Sequence, residues 1–528
     1  MLSLIFQVSV LCVSLVPLLF LWRRYTSSVR RLNGPPSTSF WLGNLGEIYS
    51  RNGWKYHRDL VERYGGAVRI NGLLGCHQVY VSDPKAMYHM LVKDASIYEE
   101  TTWYTEGNML VFGPGLLSTS GDHHRKQRRM LNPVFSIKNI RNLTPTFFSV
   151  VQKLKDAVAY QIKDESQEVD MLMWMSRAAL EIVGTGGLGT SIDSLMPDPE
   201  SATDYGKSIK NLIPCAFRLS MFRMIVPYLM KLGPPRFRRF LINISPSRDL
   251  RKVKDIVDIM ANTSNGIYRE KLDALRHGDK AVIEQVGEGK DVMSILLRAN
   301  MSASVEDRLP EDELIAQMST FMFAGHDTTS SAISRILHCL AENQEEQEKL
   351  RQDIIASGVV DGESVSYDEL MAVPYLDAVC RETLRVHPPI NFMARTARKD
   401  VILPLGTPCM SDDGEKEIDH LCIRKGQNLI VAFGAVNRLK SVWGPDSYDW
   451  RPSRWLEPLP KSVSEAHIAG VYSSLLTFSA GPRSCIGFKY AELEMKLILA
   501  VLLKNFQSRG SQTVIFKLYD SAIPGIRE

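Results

Sequence analysis

Apolar side chains recur at intervals of three and four residues along most of the chain, which is the spacing of one face of an α-helix. The clearest case is residues 311–354, a tract that begins with acidic residues and has Gly325 as its one weak position. Short runs of β-branched residues near 67–83 predict strands. The pattern therefore predicts a mainly α-helical protein with a minor β region.

The first 22 residues carry no charged side chain and are followed at once by Arg23 and Arg24. A helix of about 20 apolar residues spans a bilayer, and arginines downstream of it favour a cytosolic C-terminal side. A cleaved signal peptide is the alternative, but the run is long, has no leading charge and lacks a clear cleavage site. We expect residues 1–22 to form a transmembrane anchor.

The rest of the chain shows no repeat and no low-complexity linker. Residues 23–50 are basic and contain prolines and glycines, which predicts a hinge. The charged stretch 276–290 is typical of an exposed loop. We therefore expect a single large domain over residues 51–528.

Charge and cysteine usage narrow the function classes. The 63 basic and 59 acidic side chains leave a net charge of +4, which is small for 528 residues and gives no argument for a nucleic-acid partner. The eight cysteines show no repeated spacing, so neither a redox pair nor a zinc cluster is indicated. We interpret them as mostly reduced thiols facing the cytosol.

One cysteine lies in an unusual segment, FSAGPRSCIG at 478–487. A buried structural thiol is the ordinary interpretation of a lone cysteine. A thiolate also binds haem iron as a single axial ligand, and Gly481 and Gly487 would allow backbone N–H groups to approach the sulfur of Cys485. In that case Arg483 would meet a haem propionate and Phe478 would pack beside the loop.

The arrangement Phe478-x-x-Gly481-x-Arg483-x-Cys485-x-Gly487 resembles the cytochrome P450 family, and the resemblance covers nearly the whole chain. It is most similar to microsomal members of the eukaryotic type, including fungal ones. The resemblance implies the cytochrome P450 fold, with a long central helix over haem b. It also implies that Cys485 is the metal ligand.

AGHDTT at 324–329 lies inside the predicted long helix. The small pair Ala324 and Gly325 would let a flat cofactor approach the helix, and Asp327 beside Thr328 offers a carboxylate and a hydroxyl for moving protons. Considered in isolation, Asp327 and Thr328 would be interpreted as part of an ordinary polar face of the helix. Given the resemblance, Thr328 is assigned to the oxygen-binding groove and Asp327 to proton delivery.

Glu382 and Arg385 lie three residues apart, so a helix presents both on one face. Arg454 further along the chain would complete a network of three. An isolated exposed pair of this kind contributes little. In the family the trio supports the cysteine loop, and we expect it to be structural here.

HHRKQRR at 123–129 is too short for a nucleic-acid patch and is interpreted as a helix between the haem and an acidic redox partner. The family usually has Trp-x-x-x-Arg at this point, where this chain has His124 and Arg128. The resemblance assigns Arg128 and Arg395 to the propionates. His124 departs from the pattern, although it retains a hydrogen-bond donor.

The resemblance implies a monooxygenase that inserts one atom of O2 into a lipophilic substrate, in terpenoid or secondary metabolism or in xenobiotic oxidation. Electrons would come from NADPH through a separate NADPH–cytochrome P450 reductase, with cytochrome b5 as a further partner, at the endoplasmic reticulum membrane. Substrate contacts are expected from residues 99–118, residues 212–232, Phe321, Phe323 and residues 390–393.

Two other functions stay open at this point. Some family members isomerise or dehydrate peroxides without O2 or a reductase, although they often lack the acid and alcohol pair found here at Asp327 and Thr328. A membrane-anchored haem carrier or sensor would keep Cys485 and the arginines without needing a proton relay.

Overall fold

The computed structural model describes residues 18, 20–22, 24–50, 52–162, 168–198, 203–277 and 290–509. Helices dominate this part of the chain, and the strands form one five-stranded sheet and two hairpins. The predicted class, mainly α with a minor β region, is therefore confirmed.

The α-helices are α1 (Leu45–Ile48), α2 (Trp54–Tyr64), α3 (Pro84–Tyr88), α4 (Thr102–Phe112), α5 (Gly121–Leu131), α6 (Ile137–Gln161), α7 (Met171–Ile182), α8 (Asp204–Ile209), α9 (Leu212–Arg218), α10 (Ser220–Arg223), α11 (Val226–Leu229), α12 (Pro235–Ile244), α13 (Arg248–His277), α14 (Val292–Ser302), α15 (Glu311–Glu342), α16 (Gln344–Ser357), α17 (Tyr367–Ala372), α18 (Pro374–Val386), α19 (Phe433–Val436), α20 (Lys440–Trp443), α21 (Lys461–Glu465) and α22 (Phe488–Asn505). Single turns of 3-10 helix lie at Leu73–Gly75, Pro452–Trp455 and Gly481–Arg483, and π-helical turns at His89–Lys93 and Val183–Leu188.

The strands are β1 (Ala67–Asn71), β2 (His77–Val81), β3 (Tyr98–Glu100), β4 (Met393–Ala397), β5 (Val401–Met410), β6 (Glu417–Ile423), β7 (Asn428–Val431), β8 (Gly470–Tyr472) and β9 (Leu475–Ala480). The large sheet has the order β1-β2-β7-β4-β3, with only β2 and β7 parallel. In the β3–β4 pair Glu100 lies directly opposite Arg395.

The central helix α15 begins with Glu311, Asp312 and Glu313, whose negative charge is favourable at a helix N-terminus. It packs against α7, α13, α18 and α22. The tract predicted as continuous over 311–354 is two helices, because Asn343 leaves the helical region at φ −119° and ψ 78°. The Asn343 amide then donates to the Cys339 carbonyl at 2.8 Å.

The N-terminal part of the described chain packs onto the domain. Leu32 and Leu45, both within the predicted hinge, are fully buried, and Leu32 forms an isolated bridge with Ser411. Most of the predicted anchor, residues 1–22, lies outside the described residues, as does 278–289 of the predicted loop. None of the helices in the described part is long and apolar enough to cross a membrane.

Candidate functional site

The cysteine loop connects β9 to α22. The backbone N–H of Cys485 donates to the Phe478 carbonyl at 2.8 Å, and the Phe478 ring lies between Tyr472 and Phe488, with centroids 5.4 and 6.1 Å away. This bond folds the loop back on the strand. In the sequence, Cys485 lies two residues after the turn Gly481–Arg483 and three residues before the start of α22.

The two glycines of the loop have different roles. Gly481 has φ +65°, and a Cβ there would lie 1.9 Å from the Leu91 carbonyl oxygen, so only glycine fits. It packs on the π-helical turn His89–Lys93, and its role beside the sulfur stays a prediction. A Cβ on Gly487 would meet nothing closer than Phe135 at 3.9 Å, and the backbone N–H of Gly487 lowers the pKa of the Cys485 thiol.

The environment of Cys485 is mixed. Its side chain is accessible, yet enough protein surrounds the sulfur that burial raises the pKa of the thiol. The Gly487 N–H and the positive charge of Arg128 act in the opposite direction and lower that pKa. The N-terminus of the 18-residue helix α22 also favours a thiolate.

Two of the predicted arginines contact the loop or its neighbours. Arg128 donates from Nη1 to the Ser484 carbonyl at 2.5 Å, beside the cysteine. Arg483 donates from Nη2 to Glu99 Oε2 at 3.0 Å and to the Thr119 carbonyl at 2.9 Å. Both guanidinium groups are thus held on the cysteine side of the molecule.

Arg395 is 2% exposed and forms an ion pair with Glu100, with Nη1 3.6 Å from Oε1. Glu100 Oε2 is buried without a hydrogen-bond partner and lies 4.0 Å from Nη1 of Arg483. Sequence reasoning missed Glu99 and Glu100 because it placed them in the substrate segment 99–118. The available signal was an adjacent acidic pair at the end of a short strand.

His124 is buried on α5, while Arg125 and Arg129 on the other side of that helix are exposed. Burial, together with the nearby charges of Arg483 and Arg128, lowers the pKa of His124 to about 3. The imidazole is therefore neutral at physiological pH. It donates from one nitrogen and accepts at the other.

These residues fit haem. Arg128, Arg395 and Arg483 supply three positive charges against two from Glu99 and Glu100, and each guanidinium has five N–H donors, so charge and donors remain for propionates. Cys485 supplies one accessible sulfur. A cysteine thiolate is one of the side chains that bind haem iron, and guanidinium groups pair well with carboxylates such as the two propionates.

On α15 the small residues Ala324 and Gly325 have different surroundings. Ala324 is exposed in the middle of an otherwise buried helix. A Cβ on Gly325, by contrast, would lie 2.6 Å from Val183 Cγ2. Gly325 therefore packs against the turn Val183–Leu188, and its role beside the cofactor stays a prediction.

Asp327 and Thr328 both line a cavity of about 890 Å³. Burial raises the pKa of Asp327 to about 6. The Thr328 hydroxyl donates to the Ala324 carbonyl at 2.7 Å. A carboxyl group that titrates near neutral pH and a hydroxyl in the same wall are suited to moving protons.

The rest of the cavity wall is mostly apolar. Phe323 lines it and packs on Phe112 at 4.7 Å between centroids. Phe321 was also predicted there, but it is buried against Phe135 at 5.4 Å instead. Tyr49 and parts of 235–257 line the cavity without having been predicted. The wall is built from Tyr49, parts of 103–117, parts of 212–229, parts of 235–257, four residues of 323–331 and residues 389–394.

The structure brings Glu382, Arg385 and Arg454 together in one fully buried network. Glu382 and Arg385 form a two-pronged ion pair at 2.8 and 2.8 Å, and Arg454 Nε lies 3.3 Å from Glu382 Oε1. Sequence reasoning missed Trp455, whose indole donates to Glu382 Oε2 at 3.0 Å, and Asp446, which pairs with Arg454 at 2.9 Å. The adjacency of Trp455 to Arg454 was the available signal.

Comparison with known families matches residues 33–518 to the cytochrome P450 family model. The chain belongs to the cytochrome P450 family, whose members bind haem iron through a cysteine thiolate.

Several fungal relatives align over most of both chains. Cytochrome P450 monooxygenase 81 of Postia placenta is 48% identical over 491 residues, covering 93% of this chain and 89% of that protein. Cytochrome P450 monooxygenase 91 of the same fungus is 46% identical, over 95% and 92%. Ganoderic acid synthetase CYP5150L8 of Ganoderma lucidum is 42% identical, over 93% and 90%. This chain is accordingly a cytochrome P450 monooxygenase of the fungal kind.

Proposed function

We propose that this monooxygenase oxidises a lipophilic substrate with electrons that reach it from NADPH through a separate reductase. The observation that carries the proposal is the cavity of about 890 Å³, whose wall is mainly apolar and includes Asp327 and Thr328. That volume is near the upper end of the roughly 300–1,000 Å³ usual for small-molecule pockets. A large apolar molecule therefore suits it.

In this proposal Cys485 would bind the haem iron, and the Gly487 N–H together with the N-terminus of α22 would stabilise the charge of its sulfur. Arg128, Arg395 and Arg483 would bind the propionates, with His124 as a neutral donor. When bound there, haem b supplies the activation of O2, using two electrons and two protons. The chain's own task is to orient the substrate and to deliver those protons.

Proton delivery is assigned to the two polar residues of α15. Because burial raises the pKa of Asp327 to about 6, a fraction of it is protonated near neutral pH, and it both takes up and releases a proton readily. The hydroxyl of Thr328 donates to the Ala324 carbonyl at 2.7 Å. Rotation about the Cβ–Oγ1 bond would release this hydrogen bond and turn the hydroxyl proton away from the Ala324 carbonyl.

The surface next to the cavity supports access from a membrane. Helices α10, α11 and α12 line the cavity and also expose large apolar side chains, among them Phe222 at 62%, which is itself part of the wall, Tyr228 at 71% and Phe240 at 56%. Apolar exposure on this scale marks an interaction surface. Together with the apolar run 1–22, it supports an anchored enzyme at the endoplasmic reticulum, supplied with lipophiles by the bilayer.

The redox partner is proposed to bind near the cysteine loop. Arg129 is exposed on α5, one residue after Arg128, which contacts that loop. An acidic surface on a reductase, or on cytochrome b5, would complement such cations. The relative named for ganoderic acid synthesis supports a biosynthetic role in secondary metabolism.

The test is product formation by the full chain in membranes with NADPH and a cytochrome P450 reductase. A panel of lipophiles, including terpenoids, sterols and fatty acids, is expected to yield a product with one added oxygen atom. Turnover that proceeds equally without NADPH and reductase would contradict the proposal and favour an isomerase or dehydratase.

Thr328→Ala provides the residue-level test. The ratio of product formed to NADPH consumed should fall by at least about tenfold, because proton transfer by a positioned group contributes this much or more. Thr320→Ala is the matched control, since Thr320 lies on the same helix, makes the same kind of bond to the Ala316 carbonyl at 2.8 Å and is outside the cavity wall. If Thr328→Ala left the ratio at the wild-type value, a haem carrier or sensor would be favoured.

A further inference from the structure

Among the described residues, four cationic side chains line the cavity, and three of them are bound by carboxylates or main-chain carbonyls of the protein. Arg239 forms a two-pronged pair with Asp258 at 2.5 and 2.6 Å. Lys254 pairs with the same carboxylate at 3.6 Å and with Asp255 at 3.0 Å. Arg238 donates to the Met230 carbonyl at 2.6 Å.

The fourth cation, Arg223, differs from these. In the described part of the chain its guanidinium makes no ion pair or side-chain hydrogen bond. Its nearest ring partners are Trp103 and Tyr104, whose centroids are 5.7 and 6.0 Å from Cζ. It also lies close to Gly107, where a Cβ would be 3.6 Å from Nε and from Nη2.

The groups that shift the pKa of Arg223 do not include a carboxylate. Burial lowers its pKa, and only Tyr104 and Tyr49 act in the opposite direction. Asp327 is the one carboxylate among the described residues of the cavity wall. The pKa shift of Asp327 arises from burial alone, so Asp327 does not neutralise Arg223. A partly buried guanidinium thus faces an apolar cavity with spare donors.

A guanidinium in such a place needs an anion, because a buried charge is costly unless it is paired. Its planar fork matches a carboxylate with two parallel hydrogen bonds. Tyr49, Tyr104 and Asn108 lie in the same stretch of wall and add polar groups around it. The remaining wall is apolar and suits a hydrocarbon skeleton.

We propose that Arg223 binds the carboxylate of the substrate, and that the substrate class is a large apolar monocarboxylic acid. The inference rests on the proposed function, which it narrows from lipophiles in general to lipophilic acids. The carboxylate would be held at Arg223, whose charge does not act on Asp327, while the apolar part of the wall would contact the hydrocarbon skeleton.

The competing explanation is that Arg223 only stacks on Trp103 and Tyr104 as a structural cation. The two explanations differ in ligand preference. If Arg223 is only structural, an acid and the alcohol with the same hydrocarbon skeleton should bind with equal affinity. If Arg223 binds the substrate carboxylate, the acid should bind more tightly than the alcohol.

The experiment is calorimetric titration of the haem-loaded full chain in detergent with two matched pairs of ligands. The pairs are palmitate with hexadecanol, and oleanolic acid with the corresponding alcohol erythrodiol. At least one acid should bind the wild type about 10- to 100-fold more tightly than its alcohol, which is the range of one charge-assisted pair. Arg223→Gln should remove that preference and leave the affinity for the alcohol within about threefold.

Two further variants sharpen the result. Arg223→Lys should retain part of the preference, because the charge remains and the fork is lost. Arg238→Gln should retain all of it, since Nη1 of Arg238 already donates to the main-chain carbonyls of Met230 and Gly233. The proposal is overturned if the wild type binds neither acid or shows no preference for the acids, if Arg223→Gln weakens acids and alcohols equally, or if the preference is lost in Arg238→Gln instead.

Calorimetric titration measures binding without a reductase and without turnover. A failure of acid preference would therefore leave the monooxygenase proposal standing, while a failure of turnover would leave the assignment of Arg223 to be decided by titration.

Discussion

Arg385 and Arg223 show two ways in which this molecule uses a buried guanidinium. Arg385 uses all five N–H donors, on both oxygens of Glu382 and on the carbonyls of Asn437, Ser447 and Asp449. In the described part of the chain Arg223 has no ion pair or side-chain hydrogen bond, and its guanidinium lies near the rings of Trp103 and Tyr104. A saturated arginine stabilises the fold, whereas one with spare donors is available to a ligand.

The largest effect is expected from breaking the saturated network. Arg385→Leu leaves the fully buried Glu382 without its main partner, and loss of one member of a buried ion pair costs about 3–5 kcal/mol. Urea unfolding of the full chain in detergent measures this cost. The exposed pair of Arg141 and Asp368, 2.6 Å apart, is the control, and Arg141→Leu should cost about 1 kcal/mol or less. Equal losses of unfolding free energy in Arg385→Leu and Arg141→Leu would contradict the distinction between the buried network and the exposed pair.

The second effect concerns Asp327, a carboxylate in the cavity wall. Unlike Glu382, it has no arginine partner among the described residues. The pKa of Asp327 is about 6 in the folded protein against 3.8 when unperturbed. Between these values the folded state binds more protons than the unfolded state, so this group lowers stability as pH rises through the window, and the loss persists above pH 6. Two pKa units correspond to roughly 3 kcal/mol.

Asp327→Asn removes that cost. The variant should be more stable than the wild type by up to roughly 3 kcal/mol at pH 7.5, with the difference shrinking toward pH 4. Its product formation should fall, because the group that moves protons is lost. Thermal or urea unfolding at several pH values checks the first point, and a variant that is less stable at pH 7.5 would refute it.

The smallest effect concerns backbone strain beside the cysteine loop. Ser479 has φ +59° in β9, and its buried hydroxyl has no hydrogen-bond partner in the described residues. Glycine adopts this conformation without the cost of about 1–2 kcal/mol for other residues. Ser447→Gly is the control, since its hydroxyl is also buried and unpartnered but its φ is not positive. Ser479→Gly should be about 1 kcal/mol more favourable than Ser447→Gly in urea unfolding, and the reverse order would exclude strain.

The helical class and the motif residues were predictable because they depend on local spacing and on motifs of few residues. Cys485, Glu382, Arg385, Asp327 and Thr328 all belong to such motifs. The structure places them in the loop, the buried network and the cavity wall.

What the sequence did not reveal depends on which side of an element faces which neighbour. Ala324 and Gly325 are one residue apart, so a helix turns them by about 100° relative to each other, and only Ala324 is exposed. Phe321 and Phe323 are separated by about 200° and face different neighbours for the same reason. Glu100 meets Arg395 only through the pairing of β3 with β4, two strands far apart in the chain. Arg223 lies within the predicted substrate segment 212–232, but the sequence did not single it out, because its distinction is that it has no anionic partner among the described residues.

The central claim is that Cys485 holds haem iron as an axial thiolate. The most direct test is the absorption spectrum of the reduced, CO-bound protein, recorded for the wild type, Cys485→Ser and Cys422→Ser. Cys422 is an exposed free cysteine remote from the motif and serves as the control. The account predicts the strongly red-shifted Soret band of thiolate ligation in the wild type and in Cys422→Ser, and its loss in Cys485→Ser. A wild type without that band, or a Cys485→Ser variant that keeps it, would contradict the account.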